Sequence, residues 1–569
     1  MNRSLLVLSL SAVALVACSS GSERRFPLRD PVTRDADLAS VYVRCRRVDS
    51  KHERGHVTCA PSPYHSSIYW DGVDNLFFRP LSDAFAVRTS GESVNVNSLD
   101  EVPDSAWFTN RIAGVTQEQL RLGACKREQL LDPASAADGA WVIDQGKLDG
   151  SMPGFRVVVP GKGKYMLKVQ SVDDQPERPT AASVIGAAAF WAAGYYATCE
   201  QIVWVRPSVF KLTPGLSSRS NFEAEHPFDQ ERLDALFAKS LKRNGLLRMS
   251  ASAWISGYAI GPYRYEGTRK DDPNDIVPHE DRRELRGMRV IAAWLGRTDA
   301  REVNSFDTWV ADDASKPESS PGHVLHYQLD ESETLGGNWP WAPPELATRL
   351  GVSYAMSPQS IAYDLFSLGV SVRPWEDLEL VRGHESFGYY QLEPFDPDGW
   401  KNEYPNVAFS RMSERDGAWM ARILARFTPE LVHTLAVMGD FTDPSQTAYI
   451  EQVMEGRLER VLERYLTRLS PIGDLRVEGD RLCGVDLAEL RGVREASRFR
   501  YAARTTDGVA LPVARSPHGG VCVALRHRTG PSYLRVVVDD GVARGKLVAH
   551  LYDLGDRGFK LVGLQRPNP

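Results

Sequence analysis

Four residues, in the order Lys168, Asp299, Asn304 and Asp330, are of the types needed to move a phosphoryl group. Lys168 lies in the alternating run Tyr165-Met166-Leu167-Lys168-Val169, which reads as a strand. A lysine held there is a point charge for the α and β phosphates of a nucleotide. Asp299 and Asn304 stand five positions apart in Thr298-Asp299-Ala300-Arg301-Glu302-Val303-Asn304. An aspartate so placed orients or deprotonates an accepting hydroxyl, and the asparagine holds a metal ion. Asp330 ends the run Val324-Leu325-His326-Tyr327-Gln328-Leu329, where a carboxylate would hold metal as well. Each feature also has a plainer explanation: a strand lysine is usually a solvent-facing charge, and an Asp-rich chain produces this Asp/Asn spacing by accident. Their order, and an apolar helix before Asp299 with a strand after it, give the set its weight.

The surrounding patterns supply elements to position them. Ala140 to Ile143 and Gly154 to Val159 read as strands, joined by a turn from Lys147 to Pro153. Within it, Gly150-Ser151-Met152-Pro153-Gly154 lies where a phosphate-covering loop belongs, although it is not G-x-G-x-x-G. A helix is expected from Thr180 to Ala193, stopped by Gly194, then a strand from Gln201 to Val209. This is the plan of a small β-rich lobe over residues 131–215. Helices dominate residues 216–470: Asp275 to Gly296, with Pro278 in its first turn, and a stripe of Ile450, Met454, Leu458, Val461, Tyr465 and Leu469. After Pro471, short strands alternate with turn signals such as Asp507-Gly508 and Asp540-Gly541, so residues 471–569 read as a small β-sandwich. The expected fold is α+β: a kinase-like two-lobe body followed by that sandwich.

Two departures weigh on catalysis. The helix after the lysine should offer a glutamate to pair with it, but its inward positions are Ser183, Ile185 and Ala189, and no acid stands between Thr180 and Ala197. Asp330 is followed by Glu331-Ser332 rather than Phe-Gly. Two functions therefore stand side by side. One is phosphoryl or nucleotidyl transfer with ATP and Mg²⁺ or Mn²⁺. The other is a non-catalytic scaffold that binds a protein or glycan partner.

Location bears on the choice. Arg3, the apolar stretch from Leu5 to Val16, and Leu15-Val16-Ala17-Cys18 have the layout of a bacterial lipoprotein signal, with residues 1–17 removed and lipid on Cys18. Ser19 is not the Asp that retains some lipoproteins at the inner membrane, which points to the outer one. Residues 18–40 read as a tether, and 41–130 as an extension wrapped on a larger body, with aromatic clusters Tyr69-Trp70, Phe77-Phe78 and Trp107-Phe108. The chain has 569 residues and a net charge of −6, and no basic block stands out, which argues against nucleic acid as a partner. Seven cysteines less Cys18 leave an even number, the usage of an exported, disulfide-bonded chain. Cys45 with Cys59 and Cys483 with Cys522 are the natural local pairs, leaving Cys125 and Cys199.

Other polar clusters carry less. His279-Glu280 lacks the second histidine of a zinc-protease helix. The turn Asp271-Asp272-Pro273-Asn274-Asp275 would suit calcium, but a capped helix start explains it equally. Arg282, Arg283, Glu284 and Arg286 read as a salt-bridged helix face.

Several of these stretches also resemble a group of bacterial exported proteins and lipoproteins over roughly residues 75–470. The resemblance is carried by Thr89-Ser90-Gly91-Glu92-Ser93-Val94-Asn95-Val96-Asn97 and by Val102-Pro103-Asp104-Ser105-Ala106-Trp107-Phe108-Thr109-Asn110-Arg111. It continues through Gly261-Pro262-Tyr263-Arg264-Tyr265, the segment from Asp271 through His279-Glu280 to Arg286-Gly287, and Pro405-Asn406-Val407-Ala408-Phe409. The lobe order of that group is similar to atypical kinases of the HipA and CotH type. This more distant resemblance implies phosphate, base and metal roles for Lys168, Asp299, Asn304 and Asp330. In that group a glutamate commonly stands where Ser183 stands here, and an Ile-Asp-Phe-Gly-like run where Leu329-Asp330-Glu331-Ser332 stands. Both differences imply a degenerate member.

Overall fold

Alternation of apolar and polar residues folds the middle of the chain into a sheet. The computed structural model describes residues 25–48, 56–65, 68–86, 91–147, 152–172, 177–219, 224–316, 319–336, 351–368, 370, 375, 378–393 and 395–568. Cys18 with its signal, and Gly150-Ser151 of the expected phosphate-covering turn, lie outside the described residues. Strands β1 (Trp141–Gly146), β2 (Gly154–Val159) and β3 (Gly163–Val169) form an antiparallel meander. β3 pairs with β5 (Leu246–Ala253), which pairs on its other side with β4 (Glu200–Val205). The antiparallel order is therefore β1-β2-β3-β5-β4, with the short strand Phe210–Leu212 added parallel to β1. Phe155, Val157, Leu167, Val203, Leu247 and Met249 meet in one core beneath it.

The β-rich unit thus reaches Ala253, past the boundary expected at residue 215. Arg248, Ser250 and Ser252 hide the strand character of β5. Arg248 is wholly buried, and its guanidinium donates to Thr180 Oγ1 (2.8 Å) and to the carbonyls of Gly439 (2.7 Å) and Asp440 (2.5 Å).

Helix α1 (Arg178–Ala193) has Pro179 in its first turn and ends at Gly194, whose φ of 125° no ordinary side chain favours. From Thr180 to Ala193 it carries no charge, and a helix apolar on all sides is buried on all sides. Only Trp191 is not buried. The N-terminal extension does more than wrap this body. Val102, Ala106, Trp107, Phe108 and Leu120 belong to the same core as α1. A Cβ on Gly194 would stand 2.3 Å from the Phe108 ring.

Helix α2 (Arg283–Leu295) begins eight residues later than expected. Pro278 precedes a single 3-10 turn, His279–Asp281. The His279 ring bridges Asp275 Oδ2 (2.7 Å) and the Arg264 carbonyl (2.5 Å), while Asp275 Oδ2 also accepts from Arg269 N (2.6 Å). Asp272 Oδ1 accepts from Asn274 N (2.9 Å). These bonds fold the acidic segment as a local turn. The arginines at the start of α2 are ion-paired as expected but buried. Arg283 joins Asp100 (2.8 Å) to Asp416 (3.1 Å), and Arg286 pairs with Asp281 (2.6 Å). They bind the extension to helix α3 (Glu414–Leu424). Helices α4 (Pro429–Met438) and α5 (Pro444–Leu466) complete this layer; Ile450, Met454, Leu458 and Val461 line the buried face of α5.

Between α2 and α3 lies a hairpin of β6 (Ser305–Ala311) and β7 (Gly322–Gln328). At the C-terminus, β8 (Ile472–Glu478), β9 (Arg481–Asp486), β10 (Ala502–Thr505), β11 (Val513–Ser516), β12 (Gly520–Ala524), β13 (Ser532–Asp539), β14 (Leu547–Asp553) and β15 (Phe559–Gln565) form two antiparallel sheets. One runs β8-β9-β12-β11. The other runs β10-β13-β14-β15, with the short strand Ala510–Leu511 beyond β10. Leu482, Val521 and Val523 of the first face Val536, Leu547 and Ala549 of the second across a shared core.

Disulfides join Cys45 to Cys59, Cys125 to Cys199 and Cys483 to Cys522. The last two residues lie directly opposite on β9 and β12. Bridges of this kind are consistent with an exported chain. Among the described residues no helix is long and apolar enough to cross a membrane. The expected tether is shorter than residues 18–40, because Phe26 is already buried on the C-terminal sheet pair. Its N–H donates to Tyr533 Oη (2.9 Å), and its carbonyl accepts from Tyr552 Oη (3.1 Å).

Candidate active site

The four sequence-predicted residues form two contacting pairs, Lys168 with Asp330 and Asp299 with Asn304, linked through the backbone of Leu329 and Asn304. Lys168 stands on β3 opposite Gly154 of β2 and Ser250 of β5. A Cβ on Gly154 would stand 2.3 Å from the Leu167 carbonyl, so this crossing needs glycine. Lys168 Nζ reaches Asp330 Oδ1 at 2.6 Å. Asp330 follows β7 in the left-handed region, φ 53°, a conformation aspartate tolerates better than most residues. Its Oδ1 also accepts from Ser332 Oγ at 2.7 Å.

The other pair is fixed by the β6–β7 hairpin. Ser305 pairs with Gln328, which sets the neighbours Asn304 and Leu329 side by side; Leu329 N donates to Asn304 O at 3.0 Å. Asn304 Nδ2 donates to Asp299 Oδ2 and to its carbonyl, both at 2.8 Å. Arg297, just past α2, clamps the two segments together. Its guanidinium donates to Gln328 Oε1 (3.1 Å), Leu329 O (3.1 Å) and Asn304 O (3.3 Å), and lies 2.7 Å from Glu331 Oε2. From the other side, Asn402 accepts from Ala300 N (3.1 Å) and donates to Ala300 O (3.2 Å), and Asn406 donates to the same carbonyl (3.2 Å). Arg301 holds the Asp299 carboxylate and reaches Asp71 of the extension at 3.2 Å.

Charge is concentrated here beyond those four. Burial alone would lower the Lys168 pKa, but Asp330 and Glu200 outweigh it and raise it. Burial would likewise raise Asp330, and Lys168, helped by Lys147, pulls it well below the usual carboxylate range. Burial pushes Glu333 up to about 7 against the pull of Arg178, and both Asp299 and Asp330 add to the push. Glu333 thus feels the charge of both Asp299 and Asp330. Glu331 is pushed up to about 7 by burial against Arg297. Glu403 is raised by burial and by Asp299.

Helix α1 supplies no acid to Lys168, as the sequence indicated. Ser183 Oγ donates to Pro179 O (3.0 Å), one turn back. What faces Glu331 instead is Gly186, where a Cβ would stand 2.6 Å from that of Glu331. Besides Asp330, Glu200 on β4 raises the Lys168 pKa; it accepts from Thr198 Oγ1 (2.9 Å) and from Ser252 Oγ. Sequence reasoning missed Glu200, Lys147, Arg297, Glu333, Asn402 and Glu403. The one signal was Pro405 to Phe409, noted as a motif but not as the neighbour of Ala300. Among the described residues, the one group of three His, Cys, Asp or Glu ligand atoms within 4.8 Å of one another is Glu478 with Cys483 and Cys522. Its sulfurs are tied in a disulfide and cannot ligate. No family model, curated protein or solved structure matches this chain.

Proposed function

We propose that this is an exported, lipid-anchored protein with a kinase-like body that binds a nucleotide polyphosphate with Mg²⁺ or Mn²⁺ and transfers a phosphoryl or nucleotidyl group. The observation that carries the reading is the meeting of Lys168 with Asp330 beside the Asp299–Asn304 pair. The strand order β1-β2-β3-β5-β4, with the lysine on β3 and a helix between β3 and β4, supports it. So does the run of helix, Asp299–Asn304 loop, hairpin and Asp330. In this reading Lys168 holds phosphate oxygens and Asp299 orients the acceptor hydroxyl. Asp330 and the side-chain amide oxygen of Asn304 are hard oxygen donors of the kind Mg²⁺ and Mn²⁺ take. Two protein donors suit an ion that fills its remaining positions with phosphate and water.

A second reading, a non-catalytic envelope scaffold for a protein or glycan, draws on a specific feature. Both oxygens of Asp299 are engaged by Arg301 and Asn304, Lys168 is paired with Asp330, and α1 offers no glutamate. Melting curves of the mature protein with and without ATP and Mn²⁺, beside Asp330→Ala, separate the two. A ligand that binds only the folded state raises the midpoint. A rise that Asp330→Ala abolishes supports nucleotide binding; no rise with ATP, GTP or either metal supports the scaffold.

A further inference from the structure

A second feature lies apart from these residues, on the C-terminal sheet pair. Phe26 is seated on the outer face of the sheet β10-β13-β14-β15. Its ring lies 4.9 Å from that of His550, and a Cβ on Gly563 would stand 2.3 Å from it, so the glycine makes its seat. Tyr533 and Tyr552 hold its backbone, the Arg25 guanidinium lies 5.5 Å from the Tyr533 ring, and Asp30 pairs with Lys560 at 2.7 Å. The strap is thus fixed at several points from Arg25 onward. Only seven peptide units separate Arg25 from Cys18. At about 3.5 Å per residue, the chain between them spans at most about 25 Å.

Charge points the same way. Residues 471–569 carry 16 Lys and Arg against 11 Asp and Glu, a net charge of +5 in a chain whose total is −6. Leu534 and Val536 face the core, so Tyr533 and Arg535 point outward beside Phe26, as does Asp539, whose carboxylate is paired with Lys546 at 2.8 Å. Arg504 pairs in register with Val537 and is exposed on that same outer face. Tyrosine and arginine together are the side chains that sit at a headgroup layer.

We propose that the outer face of this sheet, with the Phe26 strap across it, is the membrane-facing surface and contacts anionic headgroups. The assignment rests on the lipid expected at Cys18. The test uses the full mature chain in vesicles of phosphatidylethanolamine and phosphatidylglycerol, with Arg504→benzoylphenylalanine as photo-cross-linker. Glu459→benzoylphenylalanine, on the exposed side of α5, is the control, and the mass of the N-terminal peptide reports the lipid. Lipid adducts several-fold more abundant at position 504 than at 459 are expected, falling with Phe26→Ala and in phosphatidylcholine vesicles. A lipidated chain with equal adducts at both positions would overturn the assignment while leaving the anchor intact. Equal yields in phosphatidylcholine would overturn the anionic contact. A Cys18 without lipid would overturn both the anchor and the face.

Discussion

Replacing Gly186 with alanine should destabilise the protein, although alanine is the better helix former. In the interior of a helix the exchange alone would stabilise by about 1 kcal/mol. Here the new Cβ would stand 2.6 Å from the Glu331 Cβ and 3.2 Å from both its Cγ and Thr334 Oγ1. Neither neighbour can retreat freely. Glu331 is 3% exposed and held to Arg297 at 2.7 Å, and Thr334 Oγ1 donates to Ala182 O of the same helix at 3.1 Å. A clash with a β-carbon moves backbone, so the cost belongs in the upper half of the overpacking range, about 2–3 kcal/mol. The net loss is then about 1–2 kcal/mol. Urea unfolding followed by fluorescence measures it as a lower midpoint. Because Asp330 adjoins Glu331, Gly186→Ala should also weaken whatever binds Lys168 and Asp330. A variant more stable than the parent would refute the packing of the segment after Asp330 against α1, and with it the positioning argument for Asp330.

Three further outcomes follow from the geometry. Glu333, raised to about 7, binds its proton more tightly in the folded state than in the unfolded chain, where it titrates near 4.5. Its stabilising contribution is complete below pH 4.5 and lost as the pH rises through 7. Glu331 and Glu403 shift in the same direction. Denaturation midpoints should fall between about pH 5 and 8, and Glu333→Gln should flatten the fall; an unchanged slope would count against the desolvation of that carboxyl. Cys125→Ala with Cys199→Ala opens a link between residues 74 apart, and the loss in urea unfolding should approach about 4 kcal/mol. Asn402→Ala removes two of the three side-chain bonds to the Ala300 backbone, leaving that of Asn406, and should cost about 1–3 kcal/mol. If Asp299 serves chemistry, that variant should lower turnover more than nucleotide affinity, read as kcat against KM.

The sequence carried the strands β1, β2 and β3, the helix α1 and its stop at Gly194, because their periodicity and turn residues act locally. The order of Lys168, Asp299, Asn304 and Asp330 was legible for the same reason: Lys168 lies in a clearly alternating strand and the other three sit at marked boundaries between elements. Strand β5 was not legible, since Arg248 looks like a surface charge until Thr180 and the carbonyls of Gly439 and Asp440 surround it. The start of α2 was misplaced because bonds among His279, Asp275 and Arg264 fold as a turn what periodicity reads as a helix. Glu200 escaped notice because an acid acting on Lys168 was sought along α1, whereas this one stands on a strand separated from Lys168 by β5. Phe26 looked like part of a tether, since nothing nearby in sequence announces a seat formed by Tyr533, His550 and Gly563.

The central claim is that Lys168 and Asp330 form one half of a nucleotide–metal site. Equilibrium titration of the mature protein with Mn²⁺ and ATP, beside Asp330→Asn and Lys168→Met, tests it most directly. The account predicts saturable binding by the parent and at least about a tenfold loss in each variant, the equivalent of about 1.4 kcal/mol. Binding of equal affinity in all three proteins, or none in the parent, would contradict it.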